Sequence, residues 1–275
     1  MIFDVILYDS IGMPLDWSKP LGGTEAGHVL LAQALRDEGL RVRIMQEDER
    51  AETRALILSR WSPLPKLVTW NRAVVMAHDL WRKEYRDNQD LGSVCVSHYQ
   101  QSDFDEHSPF PAGFAPHLVV RPILGDHVRA LKGTRKVRGR WIYPTAVNKG
   151  LEASLRAWRE VAGRFEYHEL LVTSSGYDEP PAGLCEEFGA QWIGKLAPED
   201  LARAIAQSQG LFYVNTAPEC FPMTVAIARE LGLQMHVRCD GHGHCGIAEA
   251  LVHQDLRPAT IARQWIELLR LGNGR

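Results

Sequence analysis

Apolar positions along this chain come in short runs, separated by segments where they recur every three or four residues. The run FDVILY predicts a strand, and TEAGHVLLAQALRDEG after it predicts a helix, with Thr24 as N-cap and Gly39 just past the end. RVRIM predicts the next strand, and AVVMAH, SVCVSH and HLVVRP predict three more. Strands that are apolar along their whole length belong to sheets buried on both faces. This β-α-β rhythm therefore predicts a parallel sheet between layers of helix. The stretch DHVRALKGTRKVRGR (126–140) breaks the rhythm: it has few large apolar residues, and six of its fifteen residues are Lys or Arg. It is read as the crossing between two domains, 1–125 and 126–275.

After the crossing the alternation restarts. RWIYP predicts a strand, KGLEASLRAWREVAG a helix, and HELLVTS and AQWIG two strands. PEDLARAIAQS (helix), GLFYVN (strand), FPMTVAIARELG (helix) and QMHVR (strand) follow, and PATIARQWIELLRLG closes the chain as a helix. The fold class expected is α/β, with two Rossmann-like domains facing each other across a cleft. In open sheets of this kind ligands bind outside the carboxyl ends of the strands.

Composition narrows the function classes. The 275 residues, 45% of them hydrophobic, suffice for a sizeable core. A net charge of -3 gives no overall basic field to attract nucleic acid. No run of 18 apolar residues occurs, so no membrane span is expected. The N-terminal MIFDVILYDS lacks a basic leader and reads as a first strand rather than a signal peptide. Five cysteines scattered from Cys95 to Cys245 fit a reduced, cytoplasmic setting better than a disulfide framework.

Three stretches carry candidate chemistry. In GGTEAGH, Gly22 and Gly23 allow backbone N–H groups to approach a ligand at a helix N-terminus, where anions are favoured. The spacing is not that of the GxGxxG dinucleotide fingerprint, and an ordinary strand–helix turn remains open. In YPTAVNKGLEASLRAW, Lys149 and Gly150 open an amphipathic helix. A lysine there suits a diphosphate, the alternative being a solvated first-turn side chain. In GLFYVNTAPECF, a buried strand runs into a loop holding Asn215, Thr216 and Glu219. The Glu219 carboxylate either accepts hydrogen bonds from sugar hydroxyls or complements the dipole of the helix that follows.

Taken in order, these stretches resemble the GT-B glycosyltransferases of the retaining family-4 type. GGTEAGHVLLAQALRDEGLRVRI is similar to that family's opening, AHD to the motif whose histidine faces the donor sugar, and VSHYQQSDF to the strand and helix before the domain crossing. NKGLEASLRAW is similar to its lysine–glycine helix. AQWIGKLAPEDLARAIAQSQGLFYVNTAPECFPMTVAIARELG is similar to its nucleotide-binding segment. The resemblance implies catalytic roles for Glu219, Lys149 and His78. It implies donor or phosphate contacts from Gly22, Gly23, Thr24, Thr145, Gly150, Gly194, Asn215, Thr216, Cys220, Phe221 and Thr224. The donor would be a nucleotide diphosphate-sugar, with no cofactor and no metal. The acceptor, whether small molecule, glycan or DNA, stays open.

The chain departs from the family pattern at two positions. The second family glutamate is replaced by Ile227, leaving Glu230, one turn deeper, as the candidate ribose partner. Pro144 stands where an arginine is common. These departures keep open, as an alternative to the transferase, a non-catalytic nucleotide-sugar-binding module. Two other readings rest on local clusters. His236, Cys239, His242, His244 and Cys245 are zinc-ligand types in no standard spacing. Arg129, Lys132, Arg135, Lys136, Arg138 and Arg140 form a basic run that would follow a phosphate backbone in an enzyme glycosylating modified DNA bases, or line a solvated linker.

Overall fold

The computed structural model describes residues 2–10, 15–60, 62–78, 91–107, 117–164, 167–174, 178–240 and 246–270. Strand β1 (Ile2–Tyr8) leads to helix α1 (Gly23–Asp37), then β2 (Val42–Met45), β3 (Ala51–Ser59) and β4 (Val68–Met76). β5 (Gly92–Cys95), α2 (His98–His107), β6 (His117–Val119) and α3 (Asp126–Arg129) follow. β7 (Val137–Pro144) runs through a single 3-10 turn, Val147–Lys149, into α4 (Leu151–Val161). Next come β8 (Glu169–Ser174), α5 (Leu184–Glu187), β9 (Gln191–Lys195), α6 (Pro198–Gln207) and β10 (Ser208–Asn215). α7 (Met223–Glu230), β11 (Gln234–Cys239), α8 (Ile247–Leu251) and α9 (Pro258–Arg270) complete the chain.

The strands form two parallel sheets, ordered β2-β1-β3-β4-β5-β6 and β11-β10-β7-β8-β9. The chain divides accordingly into two compact units. The first holds residues 1–14, 27–123 and 254–275, and the second holds 15–26 and 124–253. A single cut at residue 125 does not describe this division. α9 puts Ile261, Ala262, Trp265 and Leu268 into the core of the first unit, against Val5, Leu7, Leu31, Leu35 and Ile57. Its apolar stripe at i, i+4 and i+7 is long enough to cover a sheet face, and the face it covers is made by the other end of the sequence.

Both faces of the first sheet are buried. Val5 and Leu7 face α1 and α9, while Ile6 and Tyr8 pack on the other side with Leu56, Leu58, Val75 and Phe104 of α2. The period of two is hidden in a run that is apolar throughout, as a doubly covered parallel strand requires. α1 buries Glu25, His28, Leu31, Ala32 and Leu35, the spacing of one helical face. It begins at Gly23, with Ala26 N donating to the Gly22 carbonyl, so Thr24 lies inside the helix rather than capping it. Its other end closes as the sequence predicts. Gly39 takes a left-handed φ of 86°, and Leu40 N donates to the Leu35 carbonyl.

β3 is absent from the sequence expectation. Among the described residues no helix separates it from β2 or β4, and residues 60–67 alone return the chain for a parallel pairing that usually takes about a dozen residues or more. Asp48 ties the two bare connections together, its carboxylate accepting from Lys66 N at 2.8 Å and Leu67 N at 3.0 Å. Both bonds are charge-assisted but exposed, so Asp48→Ala is expected to cost about 1 kcal/mol, read as a lower denaturation midpoint with an unchanged m-value.

The basic run is largely occupied within the second unit. Arg129 pairs with Asp126, Lys132 with Glu230 and Arg140 with Glu169, while Lys136 donates to the carbonyls of Ala206 and Leu231. Arg138 and Arg140 belong to β7 itself. Lys136 caps the ends of α6 and α7, a position the helix dipole favours for a cation. The run is therefore structural at these positions rather than a loose linker.

The two described members of the histidine–cysteine cluster, His236 and Cys239, stand apart. His236 lies flat on Phe212, ring centroids 4.2 Å apart at 10°, within a group that includes Tyr167, Trp141 and Trp158. Cys239 is three residues along the same strand, so it points to the opposite face. His242, His244 and Cys245 lie outside the described residues, and among the described residues no group of three such side chains is placed to hold a metal. Of the tryptophans, Trp61 and Trp81 also lie outside the described residues, and Trp70 packs half-buried against the first unit's core.

Candidate active site

In the second sheet β7 is formed first yet stands between β10 and β8. The chain leaves it toward β8 and β9, then returns on its other side as β10. The winding thus reverses between the carboxyl ends of β7 and β10, where an open parallel sheet leaves a crevice. The loops opening there are 145–150 and 216–222, and they hold most of the residues singled out from the sequence.

Lys149 ends the 3-10 turn after β7, and its Nζ lies 3.1 Å from Oε2 of Glu219 in the loop after β10. The two side chains are 30% and 16% exposed, so the pair is reachable but partly desolvated. Tyr213, near the carboxyl end of β10, donates its hydroxyl to the same carboxylate oxygen at 3.4 Å. Tyr143 stands beside Tyr213, ring centroids 5.8 Å apart, and donates to the Ala146 carbonyl at 2.9 Å. Burial, and then the charge of Glu219, hold the Tyr143 phenol well above its ordinary pKa. Tyr143 is therefore a fixed neutral donor that shapes the 145–150 loop.

Gly150 makes this arrangement possible. It has φ 112° and ψ 30°, joining the 3-10 turn to α4 in the left-handed region. A methyl group here would collide with the Val214 carbonyl oxygen and come within 3.0 Å of Thr216 N. The two loops meet at this glycine, where Thr216 N donates to the Lys149 carbonyl at 3.4 Å. α4 is docked below it by Ser154, whose hydroxyl accepts from Val214 N at 2.9 Å.

The remaining residues divide by what their side chains do. Asn215 is buried and spends its amide on its own loop, donating to the Ala217 carbonyl at 2.6 Å and accepting from Ala217 N at 3.2 Å. It shapes the loop rather than facing outward. Thr216 is exposed beside Gly150, Thr145 is half-buried after β7, and Thr224 is half-buried on the first turn of α7. Cys220 and Phe221 are buried and anchor the loop. Gly194 sits in β9 with φ 86°, and its carbonyl accepts from Thr173 Oγ1. Glu230 closes α7 at the end away from Glu219 and pairs with Lys132 at 3.2 Å. Ile227 is half-buried on the same helix. Gly22, Gly23 and Thr24 fall in the 15–26 segment that groups with the second unit, and a Cβ on Gly23 would meet nothing within 4 Å. His78 follows β4 at the carboxyl edge of the first sheet.

Gly246 escaped the sequence reading. Its N–H donates to the Glu219 carbonyl at 2.6 Å, and a methyl group there would strike the Cys220 carbonyl. The start of α8 thus packs directly against the loop that carries the carboxylate. The signal present in the sequence was a lone glycine before IAEAL, too common a pattern to single out.

Neither a family model nor a curated protein sequence matches the chain. Solved structures do. AviGT4, a glycosyltransferase involved in avilamycin A biosynthesis, is 15% identical with a TM-score of 0.63, and the match covers 99% of both chains. WaaG, a glycosyltransferase involved in lipopolysaccharide biosynthesis, is 14% identical with a TM-score of 0.57, covering 98% of this chain and 100% of its own. Anabaena HepE, solved in complex with UDP-glucose, is 13% identical with a TM-score of 0.60, covering 96% of this chain and 90% of its own. The chain thus has the fold of the GT-B glycosyltransferases, two parallel α/β units, along almost its entire length.

Proposed function

We propose that this protein moves a glycosyl group from a nucleotide diphosphate-sugar to an acceptor hydroxyl, with retention of configuration. The observation that carries the reading is the Lys149–Glu219 pair at the winding reversal between β7 and β10. A cation and a carboxylate within 3.1 Å of each other suit a ligand that is an anion at one end and a polyol at the other. The HepE structures with UDP and UDP-glucose support a donor of this class.

In this reading Lys149 meets the departing diphosphate, together with backbone N–H groups near Gly22 and Gly23. Gly23 opens α1, where the N–H groups of a helix's first turn favour an anion. The anomeric C–O bond to the diphosphate breaks, a C–O bond to the acceptor forms on the same face, and the acceptor proton passes to a phosphate oxygen. Charge grows on the leaving group as the sugar becomes oxocarbenium-like, so fixed positive charge at that place is the main catalytic contribution, in the role a metal ion fills elsewhere. Glu219, held by Tyr213, orients the sugar hydroxyls, and His78 is the histidine that the resemblance assigns to the donor sugar. Ile227 cannot hold a ribose hydroxyl, so the base and ribose contacts differ from the family pattern.

A thermal-shift series with UDP-, GDP- and ADP-sugars tests the donor class. At a hundredfold excess over Kd, binding stabilises by about 2.7 kcal/mol, several degrees in Tm. A chain that no nucleotide sugar stabilises is not a transferase of this kind. One that is stabilised but releases no nucleotide with a panel of acceptors or water is the non-catalytic module instead.

A further inference from the structure

The first sheet has a winding reversal of its own. β1 is followed by β2 on one side and β3 on the other, so the carboxyl ends of β1 and β3 flank the second place where a ligand crevice is expected. A buried polar group is assembled there. Asp9 follows β1 and His28 lies on α1, each 1% exposed, while Arg60 follows β3 with a left-handed φ of 55° and His78 follows β4. Nδ1 of His28 is 3.3 Å from Oδ2 of Asp9. The His28 and His78 rings meet edge to face, with centroids 5.3 Å apart and planes at 79°.

Packing alone does not account for this group. His28 shares its helical face with Leu31 and Leu35, where an apolar residue would be less costly. Among the described residues, Nε2 of His28 and Nε2 of His78 have no hydrogen-bond partner although both are buried, and Nδ1 of His28 has only the Asp9 carboxylate beside it. Unpartnered buried nitrogens are rare in folded proteins and concentrate where function demands them.

We propose that Asp9 and His28 are a positioning pair for His78. The Asp9 carboxylate orients the His28 ring, and that ring, set edge to face, fixes the plane of the His78 ring that would meet a donor sugar. The sugar contact rests on the proposed function; the positioning does not. The groups facing His78 from the packed elements are His28 on α1, Arg60 after β3 and Asp9 after β1. Burial foremost, then His28 and Arg60, hold its pKa well below that of an ordinary histidine, with Asp9 acting in the opposite sense. His78 is then a neutral hydrogen-bonding group at pH 7, fitted to sugar hydroxyls rather than to a phosphate.

Long-range proton–nitrogen NMR on 15N-labelled protein reads this without any substrate. Expected in the wild type is a neutral His78 ring that stays neutral well below pH 6.5. His28→Leu should move the His78 titration upward and change its ring nitrogen shifts. Asp9→Asn should move the titration downward and change the tautomer of His28. If the His78 nitrogen shifts and titration are the same as wild type in the folded variants, the positioning is refuted. Asp9→Asn is nearly isosteric and carries the test where His28→Leu does not fold. With UDP-glucose as donor, both variants should lose about tenfold in kcat with little change in KM, as supporting residues behind a ligand do. Altered His78 nitrogen shifts with wild-type kcat would also overturn the proposal. A wild type that neither binds nor turns over any nucleotide sugar would instead refute the proposed function and leave the NMR result to decide the positioning.

Discussion

Lys149→Ala is expected to lower kcat about 10²–10³-fold while leaving the fold intact, the usual cost of removing one donor to a developing negative charge. The lysine is 30% exposed and caps no helix end, so its structural share is small. A partly exposed ion pair contributes about 1 kcal/mol or less to stability. Glu219→Ala should be comparably damaging, because the sugar then loses its fixed acceptor. Glu219→Gln keeps the shape and the Tyr213 contact but not the charge, and so separates orientation from electrostatics. The double variant should fall well short of the product of the two losses, since each residue also holds the other in place. Steady-state rates with the best-binding donor, alongside thermal melts, make the measurement. Two well-folded single variants with wild-type rates would dismiss this pair as the reacting site.

Gly150→Ala carries the largest expected loss of stability, about 3 kcal/mol, or a fall of 5–10 °C in the melting of the second unit. Left-handed backbone costs a residue with a Cβ about 1–2 kcal/mol. The added methyl also strikes the Val214 carbonyl, which belongs to a central strand and cannot move aside as a flexible side chain would. Relief by shifting the 145–150 loop would break the tie from Thr216 N to the Lys149 carbonyl and move the lysine off Glu219. Gly163 is the control. It has φ 84°, and a methyl group added there would meet nothing within 4 Å, so Gly163→Ala bears the backbone cost alone. Equal melting points for the two variants would show that no collision exists at Gly150.

The second unit was the more legible half because its pieces follow the simple rule. Leu211, Phe212, Tyr213 and Val214 are apolar in sequence and all fully buried in β10, and the polar loops at its end and at the end of β7 hold the candidate residues. NKG could be placed at a strand–helix junction, although not as a 3-10 turn, since the left-handed step at Gly150 depends on the neighbouring strand. β3 went unread because AETRALILS begins with exposed Glu52 and Arg54 and no helix follows to mark its end. Asp9 and His28 went unread because each is unremarkable within its own segment. Only the strand order brings the end of β1 beside α1 and β4. The pairing of Lys132 with Glu230 joins residues far apart in sequence, so the basic run looked free when it was not.

α9 packs its Trp265 and Leu268 into a core whose other members are complete by residue 123. During synthesis the half that emerges earliest therefore lacks one of its walls until the rest of the polypeptide, the other half included, has left the ribosome. Val5, Leu7 and Leu31 share their core with α9, whereas the second unit is continuous from residue 124 to 253 apart from one short N-terminal strip. A chain cut before residue 258 would lack α9 and leave that core without one of its walls.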